Sequence, residues 1–236
     1  INIINIEYNF KKSFEPITKK SNSYINNCFN KALIFLKKNN LEKFINGPVS
    51  KKHFLKRKFL GITEFLAHKN NKSNKVAMLI YNKKLSVSPM TTHLPLKNVH
   101  KNLSIKKIIN HVDLIHTFYK NRFNKNPRIA ITGLNPHCES NFETSEEKKI
   151  IEPAIKILSK ARYKIYGPFA ADTIFMKEQL EKYDVIIGMY HDQVLVPIKT
   201  LFGFNAINIT LGLPFIRISP DHGPNYSMLG KNLSDP

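Results

Sequence analysis

From Ile186 to Ile218 the chain carries only three fully charged side chains, Asp192, Lys199 and Arg217. Elsewhere it is dense with charge, 37 Lys and Arg against 17 Asp and Glu in 236 residues, a formal net charge of +20. So apolar a stretch belongs in an interior, and a charge inside it is costly unless it is paired or used. The chain is long enough to bury such a core within one large or two small domains. At 42% hydrophobic and 11% aromatic residues, its composition is that of a folded body rather than a disordered one.

Periodicity supplies the elements around this stretch. Ser23 to Asn39 sets Ile25, Phe29, Leu33 and Leu36 on one helical face, and Ile105 to Phe123 does the same with Ile108, Val112, Ile115 and Phe118. Val76 to Tyr81 and Lys84 to Met90 read as neighbouring strands across Asn82-Lys83. Phe44 to Val49, Arg128 to Thr132, Lys164 to Tyr166 and Asp184 to Tyr190 read as further strands. Thr144 with Glu147 offers a capping box for a helix running to about Ala161, and Phe175 to Lys182 reads as another helix. This alternation predicts an α/β layered fold around a largely parallel sheet. No repeat and no flexible linker divides residues 1–236, so the expectation is a single unit in which any two lobes share strands.

Several classes drop out. No apolar run approaches the roughly 20 residues of a membrane-spanning helix, and no signal peptide is visible, so a cytoplasmic location is expected. Two cysteines, Cys28 and Cys138, leave a disulfide framework improbable and a Cys-based zinc site excluded by count. The basic charge raises nucleic-acid binding as a remote alternative. Its lysines are scattered among abundant Asn and Ile rather than gathered in a stripe, and no nucleic-acid motif accompanies them. The chain starts at Ile1 and stops at Asp235-Pro236 without a closing helix, so both ends are expected to be cut.

In open α/β sheets ligands sit beyond the carboxyl ends of the strands. Three histidines stand there: His93 after the second of the paired strands, His137 after Arg128 to Thr132, and His191 after Asp184 to Tyr190. Three imidazoles at one edge suit zinc or a similar divalent ion with a position left for substrate. Their spacing forms no local ligand motif, and from placement alone unrelated capping or surface histidines are the favoured reading. Lys199 and Arg217 are candidates to hold a phosphate ester as point charge and bidentate fork, with Asn208 adding an amide donor. The competing reading is a buried ion pair of Lys199 or Arg217 with Asp192 or Asp221. No Gly-x-Gly-x-x-Gly fingerprint and no phosphate loop is present.

Seven ordered motifs between about residues 45 and 230 carry a resemblance. They are Asn46-Gly47-Pro48-Val49-Ser50-Lys51, Gly61-Ile62-Thr63-Glu64-Phe65, Thr91-Thr92-His93-Leu94-Pro95-Leu96, Gly133-Leu134-Asn135-Pro136-His137, Gly167-Pro168 with Ala171-Asp172-Thr173, Met189-Tyr190-His191-Asp192-Gln193, and Asn208 to Arg217 with Asp221-His222-Gly223. In these the chain resembles the 4-hydroxythreonine-4-phosphate dehydrogenases.

The resemblance implies a two-lobed α/β fold like that of isopropylmalate and isocitrate dehydrogenases, and a homodimer whose interface completes the active site. It implies that His93, His137 and His191 bind a divalent metal, zinc or else magnesium or cobalt, and that Thr63, Lys199, Asn208 and Arg217 hold the substrate. NAD binds this fold without a Rossmann motif. The implied reaction oxidises the C3 hydroxyl of 4-phosphooxy-L-threonine and releases carbon dioxide, giving 3-amino-2-oxopropyl phosphate for pyridoxal 5′-phosphate synthesis. The metal would act as a Lewis acid in both steps. Lys51, Asp172 and Asp192 are the candidates for proton transfer, with support of a histidine ligand as the alternative role for Asp192.

Two departures stand out. Ile62 occupies a position where many members carry His, which keeps open a paralogous dehydrogenase of phosphothreonate or phosphoerythronate. A Gly-Asp-Pro-Ala-Gly-like first strand and loop is missing, so the fold is expected to be incomplete at its N-terminus, and the chain as it stands inactive.

Overall fold

The computed structural model describes residues 2–234 except 14, 16, 51–53, 56–57, 73–74 and 139–141. Its strands are β1 (Lys43–Ile45), β2 (Ala77–Tyr81), β3 (Ser86–Thr91), β4 (Ile129–Thr132), β5 (Ile165–Phe169), β6 (Val185–Tyr190), β7 (Ile207–Leu211) and β8 (Ile216–Pro220). Among the described residues they form one eight-stranded sheet in the order β1-β8-β7-β2-β3-β6-β4-β5. The helices are α1 (Ser21–Lys38), α2 (Ile62–Lys69), α3 (Ile105–Phe123), α4 (Glu152–Lys160), the single-turn α5 (Lys177–Leu180) and α6 (His191–Phe202).

The sheet is mixed rather than largely parallel. From β3 through β6 and β4 to β5 every pairing is parallel, whereas β3–β2, β2–β7 and β7–β8 are antiparallel. Short connections impose the β2–β3 and β7–β8 pairings, because a tight turn returns the chain beside itself and a parallel partner needs a crossover. Asn82 makes the first turn by accepting from the Lys84 amide at 2.8 Å.

The strands alternate side chains between two cores. Val185, Ile187 and Met189 of β6 face a cluster with Ile108, Val112 and Ile115 of α3 and Ala154 and Leu158 of α4, while Ile186 faces Val194, Leu195 and Ile198 of α6. Period two on the strand and three-to-four on the helices place these apolar rows together. Each fully buried aliphatic side chain contributes about 1.5–3 kcal/mol. A third cluster packs Phe29 of α1 against Phe54, Leu55, Ile62, Phe65 and Leu66.

Helix α3 has the bounds expected from its sequence because both ends are capped. Ser104 Oγ accepts from the Lys107 amide at 3.3 Å, and Asn124 closes the helix in the left-handed region at φ 47°. The helix before β5 differs from expectation. The Thr144–Glu147 capping box does not form; Ser145 Oγ receives the Lys148 amide at 3.3 Å, and a π-turn, Glu147–Ile151, leads into α4. Glu147 is fully buried and serves the loop after β4 instead. The helix expected over Phe175 to Lys182 shrinks to α5, with Phe175 packed against the α6 core.

Strand β3 turns two serines toward α3, and the helix satisfies both. Tyr119 donates its hydroxyl to Ser86 Oγ at 2.9 Å, and His111 Nε2 meets Ser88 Oγ at 2.6 Å. The Ser88 hydroxyl is itself spent on the Met78 carbonyl, so His111 Nε2 carries a proton and donates it to Ser88 Oγ. Burial lowers the His111 pKa from 6.5 to about 4. In the unfolded chain the ring gains its proton as pH falls through about 6.5, whereas the folded ring stays neutral to about 4. Stability is therefore whole above pH 6.5 and is lost below it, by about 2 kcal/mol at pH 4.5. Urea unfolding of the protein and of His111→Gln at pH 7 and pH 4.5 should show a loss about 2 kcal/mol larger with histidine present; equal losses in the two proteins would contradict a buried neutral ring.

Candidate active site

A cavity of about 420 Å³ lies beyond the end of β3 and the start of α6, walled by α2 and by β7 and β8. Arg217 is the charge at its floor. Its backbone lies in β8 between Phe44 of β1 and Thr210 of β7, so the side chain rises from the interior of the sheet and is 3% exposed. Nε donates to Asn46 Oδ1 at 2.7 Å and Nη1 to Thr210 Oγ1 at 3.3 Å. Thr210 Oγ1 in turn lies 3.4 Å from Thr63 Oγ1 at the start of α2. Among the described residues no carboxylate comes within ion-pair distance of the guanidinium. Burial lowers its pKa to about 10, opposed in part by the charge of Glu64. A cation held this way is a site for an arriving anion, since a buried charge without a partner costs several kcal/mol.

Asn208 and Asp221 share the cavity with Arg217 and Thr63. Asn208 Oδ1 is buried and receives no donor among the described residues. Lys199, on α6, stands behind this wall. Its ammonium donates to Asp221 Oδ2 at 2.7 Å and lies 4.9 Å from the centroid of the Phe204 ring. Of the two readings open in the sequence, the ion pair with Asp221 is the one formed by Lys199, while Arg217 keeps its charge for the cavity.

The parallel pairing of β3 with β6 matches Thr91 to Tyr190 and so brings the residues that follow each strand to one edge. His93 and His191 meet there with ring centroids 5.6 Å apart, and both line the cavity. His191 opens α6, and its Nδ1 lies 2.6 Å from Asp192 Oδ1. The carboxylate holds the proton on Nδ1, which leaves the Nε2 lone pair available to a ligand.

His137 follows β4, the other neighbour of β6, but points elsewhere. It takes a positive φ of 56°, is 78% exposed at its side chain, and has its Nδ1 3.9 Å from Asp172 Oδ2. Among the described residues no three His, Cys, Asp or Glu side chains converge as a metal shell. A metal–imidazole bond of roughly 2 Å lets two ligands of one ion stand about as far apart as His93 and His191 do. The donor chemistry therefore fits a borderline divalent ion at two positions, and the third imidazole is not gathered within this chain. Lys51 lies outside the described residues.

Three supporting side chains stand in sequence patterns that do not reveal their roles, because those roles depend on contacts made in the fold. Gln193 Oε1 accepts from the Met189 amide at 2.6 Å and from Thr132 Oγ1 at 2.9 Å, while its Nε2 donates to the Gly133 carbonyl at 2.8 Å. It thereby fixes the His191 helix to the loop bearing His137. Glu147 Oε1 accepts from the amides of Leu134 and Asn135 at 2.7 and 2.9 Å, and Oε2 from Asn135 Nδ2 at 2.8 Å. Burial alone would raise its pKa, but these donors hold it below the usual carboxylate range. Asn46 is the third, orienting Arg217.

Comparison with known proteins gives this arrangement a context. The family model described as pyridoxal phosphate biosynthetic protein PdxA matches residues 1–236. A 4-hydroxythreonine-4-phosphate dehydrogenase from Sulfurihydrogenibium sp. is 39% identical over 240 residues, spanning 100% of this chain and 72% of the relative. Curated relatives of the same name are matched over 52–72% of their length. The crystal structure of 4-hydroxythreonine-4-phosphate dehydrogenase from Klebsiella pneumoniae superposes with a TM-score of 0.77 at 30% identity, over 93% of this chain and 68% of that one. Isocitrate dehydrogenase from Methylococcus capsulatus, 10% identical with a TM-score of 0.50 over 86% of this chain and 66% of its own, shares the fold alone. With its whole length matched by the family model and its relatives agreeing, this chain belongs to the PdxA family of pyridoxal phosphate biosynthetic proteins.

Proposed function

We propose that the protein is an NAD-dependent 4-hydroxythreonine-4-phosphate dehydrogenase acting in the cytoplasm, which oxidises and decarboxylates 4-phosphooxy-L-threonine to 3-amino-2-oxopropyl phosphate. The observation that carries this reading is Arg217, a buried guanidinium without a carboxylate partner among the described residues, in one cavity with Thr63, Asn208, His93 and His191. The phosphate docks on Arg217 with Thr63 beside it, and Asn208 and Lys199 complete the substrate's surroundings. Held at a point remote from the reacting carbon, the phosphate gives orientation.

His93, His191 and His137 hold a divalent metal, zinc or else magnesium or cobalt, which when bound supplies a Lewis acid at the reacting oxygen. The protein works as a homodimer of interwoven two-lobed subunits, and completion of the site at its interface accounts for His137 standing apart from the other two rings. NAD accepts the hydride from C3. None of the described residues builds a glycine-rich phosphate turn, so no residue is named for the dinucleotide. The hydroxyl proton leaves through Lys51 or Asp172, while Asp192 orients His191. Carbon dioxide then departs and C2 takes up a proton.

A second reading, a dehydrogenase of phosphothreonate or phosphoerythronate, draws on Ile62, which is 7% exposed and puts an apolar side chain in the cavity wall beside Thr63. Comparing kcat/KM for the amino and hydroxy substrates separates the two.

Inorganic phosphate at a hundredfold its Kd should stabilise the protein by about 2.7 kcal/mol, read as a rise in Tm. Arg217→Met should remove that response; a phosphate effect that survives the substitution places the anion elsewhere. With metal, NAD and 4-phosphooxy-L-threonine, the full-length protein should form NADH, and His191→Ala should lower kcat/KM by about 10²-fold or more. No NADH from any phosphorylated hydroxy acid would end the dehydrogenase reading.

A further inference from the structure

We infer that Asp221 is the specificity residue of this cavity, taking the ammonium group of the substrate on its free carboxylate oxygen, with Lys199 as the positioning residue behind it. The inference deepens the dehydrogenase reading and rests on it. Asp221 follows β8, and its side chain is 2% exposed although it lines the cavity. Its two oxygens have different fates. Oδ2 accepts from Lys199 Nζ at 2.7 Å, and the same ammonium lies 3.4 Å from the Asp221 carbonyl. Oδ1 is fully buried and receives no hydrogen bond among the described residues.

A carboxylate oxygen left in that condition carries a desolvation cost with nothing to offset it, unless the ligand brings a donor. The cavity wall then holds a cation without a carboxylate partner and a carboxylate oxygen without a donor among the described residues, the guanidinium of Arg217 and Oδ1 of Asp221. A ligand that meets both is an anion that also bears a hydrogen-bond donor, and in 4-phosphooxy-L-threonine the ammonium group is that donor. Any donor to a carboxylate makes a charge-assisted hydrogen bond, and a primary ammonium adds a full positive charge that a hydroxyl does not bring. That difference makes Asp221 a discriminator between amino acid and hydroxy acid phosphates. Lys199 fixes the carboxylate through Oδ2, so it reaches the substrate through Asp221.

The test measures Kd and KM for 4-phosphooxy-L-threonine and for its deamino counterpart, 3-hydroxy-4-phosphooxybutanoate, on the full-length protein. The unmodified protein should prefer the amino compound by about tenfold or more. Asp221→Asn should raise KM for that compound by roughly tenfold while shifting the deamino compound less than about threefold, with kcat changing less than KM in both cases. Lys199→Met should give the same selective loss; an equal loss for both ligands would mean that Lys199 contacts the phosphate directly, and would overturn its positioning role. Should Asp221→Asn fail to fold, the preference of the unmodified protein decides. Equal affinity for both compounds there overturns the assignment of Asp221 while leaving the dehydrogenase reading standing. If the unmodified protein binds neither compound, both fall together.

Discussion

A guanidinium 3% exposed, with no carboxylate in reach among the described residues, is an unfavourable thing to build into a sheet, and the cavity is organised around it. Arg217 is held by neutral acceptors, Asn46 and Thr210, which fix its plane without cancelling its charge. The one carboxylate in the cavity wall with a cation at hand, Asp221, pairs with Lys199 instead. That division leaves the arginine for an anion from outside. An Arg217–Asp221 pair would have made a quieter interior and a poorer site, since a guanidinium already paired has less to offer an incoming anion.

The second constraint is the pairing of β3 with β6. Being parallel, the two strands end at the same edge, and the register of Thr91 with Tyr190 sets His93 beside His191 although 98 residues separate them. Side chains from other parts of the chain then hold the geometry. Gln193 joins the first turn of α6 to the end of β4, Glu147 gathers the amides of the loop carrying His137, and Asp192 selects the tautomer of His191. A binding site with this much support can be rigid before its ligand arrives.

Much of this was legible from residues alone. The 3.6-residue period of Ile105 to Phe123 marks α3 to the residue, and the structure adds the caps Ser104 and Asn124 at its ends. The apolar run before His191 likewise marks β6. The mixed sense of the sheet was less visible, since strand periodicity is the same in parallel and antiparallel pairs and only connection length separates them. Glu147 was misread because a capping box and a loop-binding carboxylate share one local sequence. Asp221 and Lys199 were visible as a possible ion pair, but the burial of the other carboxylate oxygen without a donor is a property of packing and has no trace in the order of residues. His137 shows the limit from the other side: its place in the sequence aligns it with the other two histidines, while its left-handed backbone turns it toward Asp172.

The most direct measurement is a crystal structure of the full-length protein with metal and 4-phosphooxy-L-threonine bound. The account requires the phosphate oxygens within hydrogen-bond distance of the Arg217 guanidinium, with the C3 hydroxyl turned toward His93 and His191. A phosphate bound away from Arg217, or a guanidinium that closes onto a carboxylate of the protein in the complex, would contradict it.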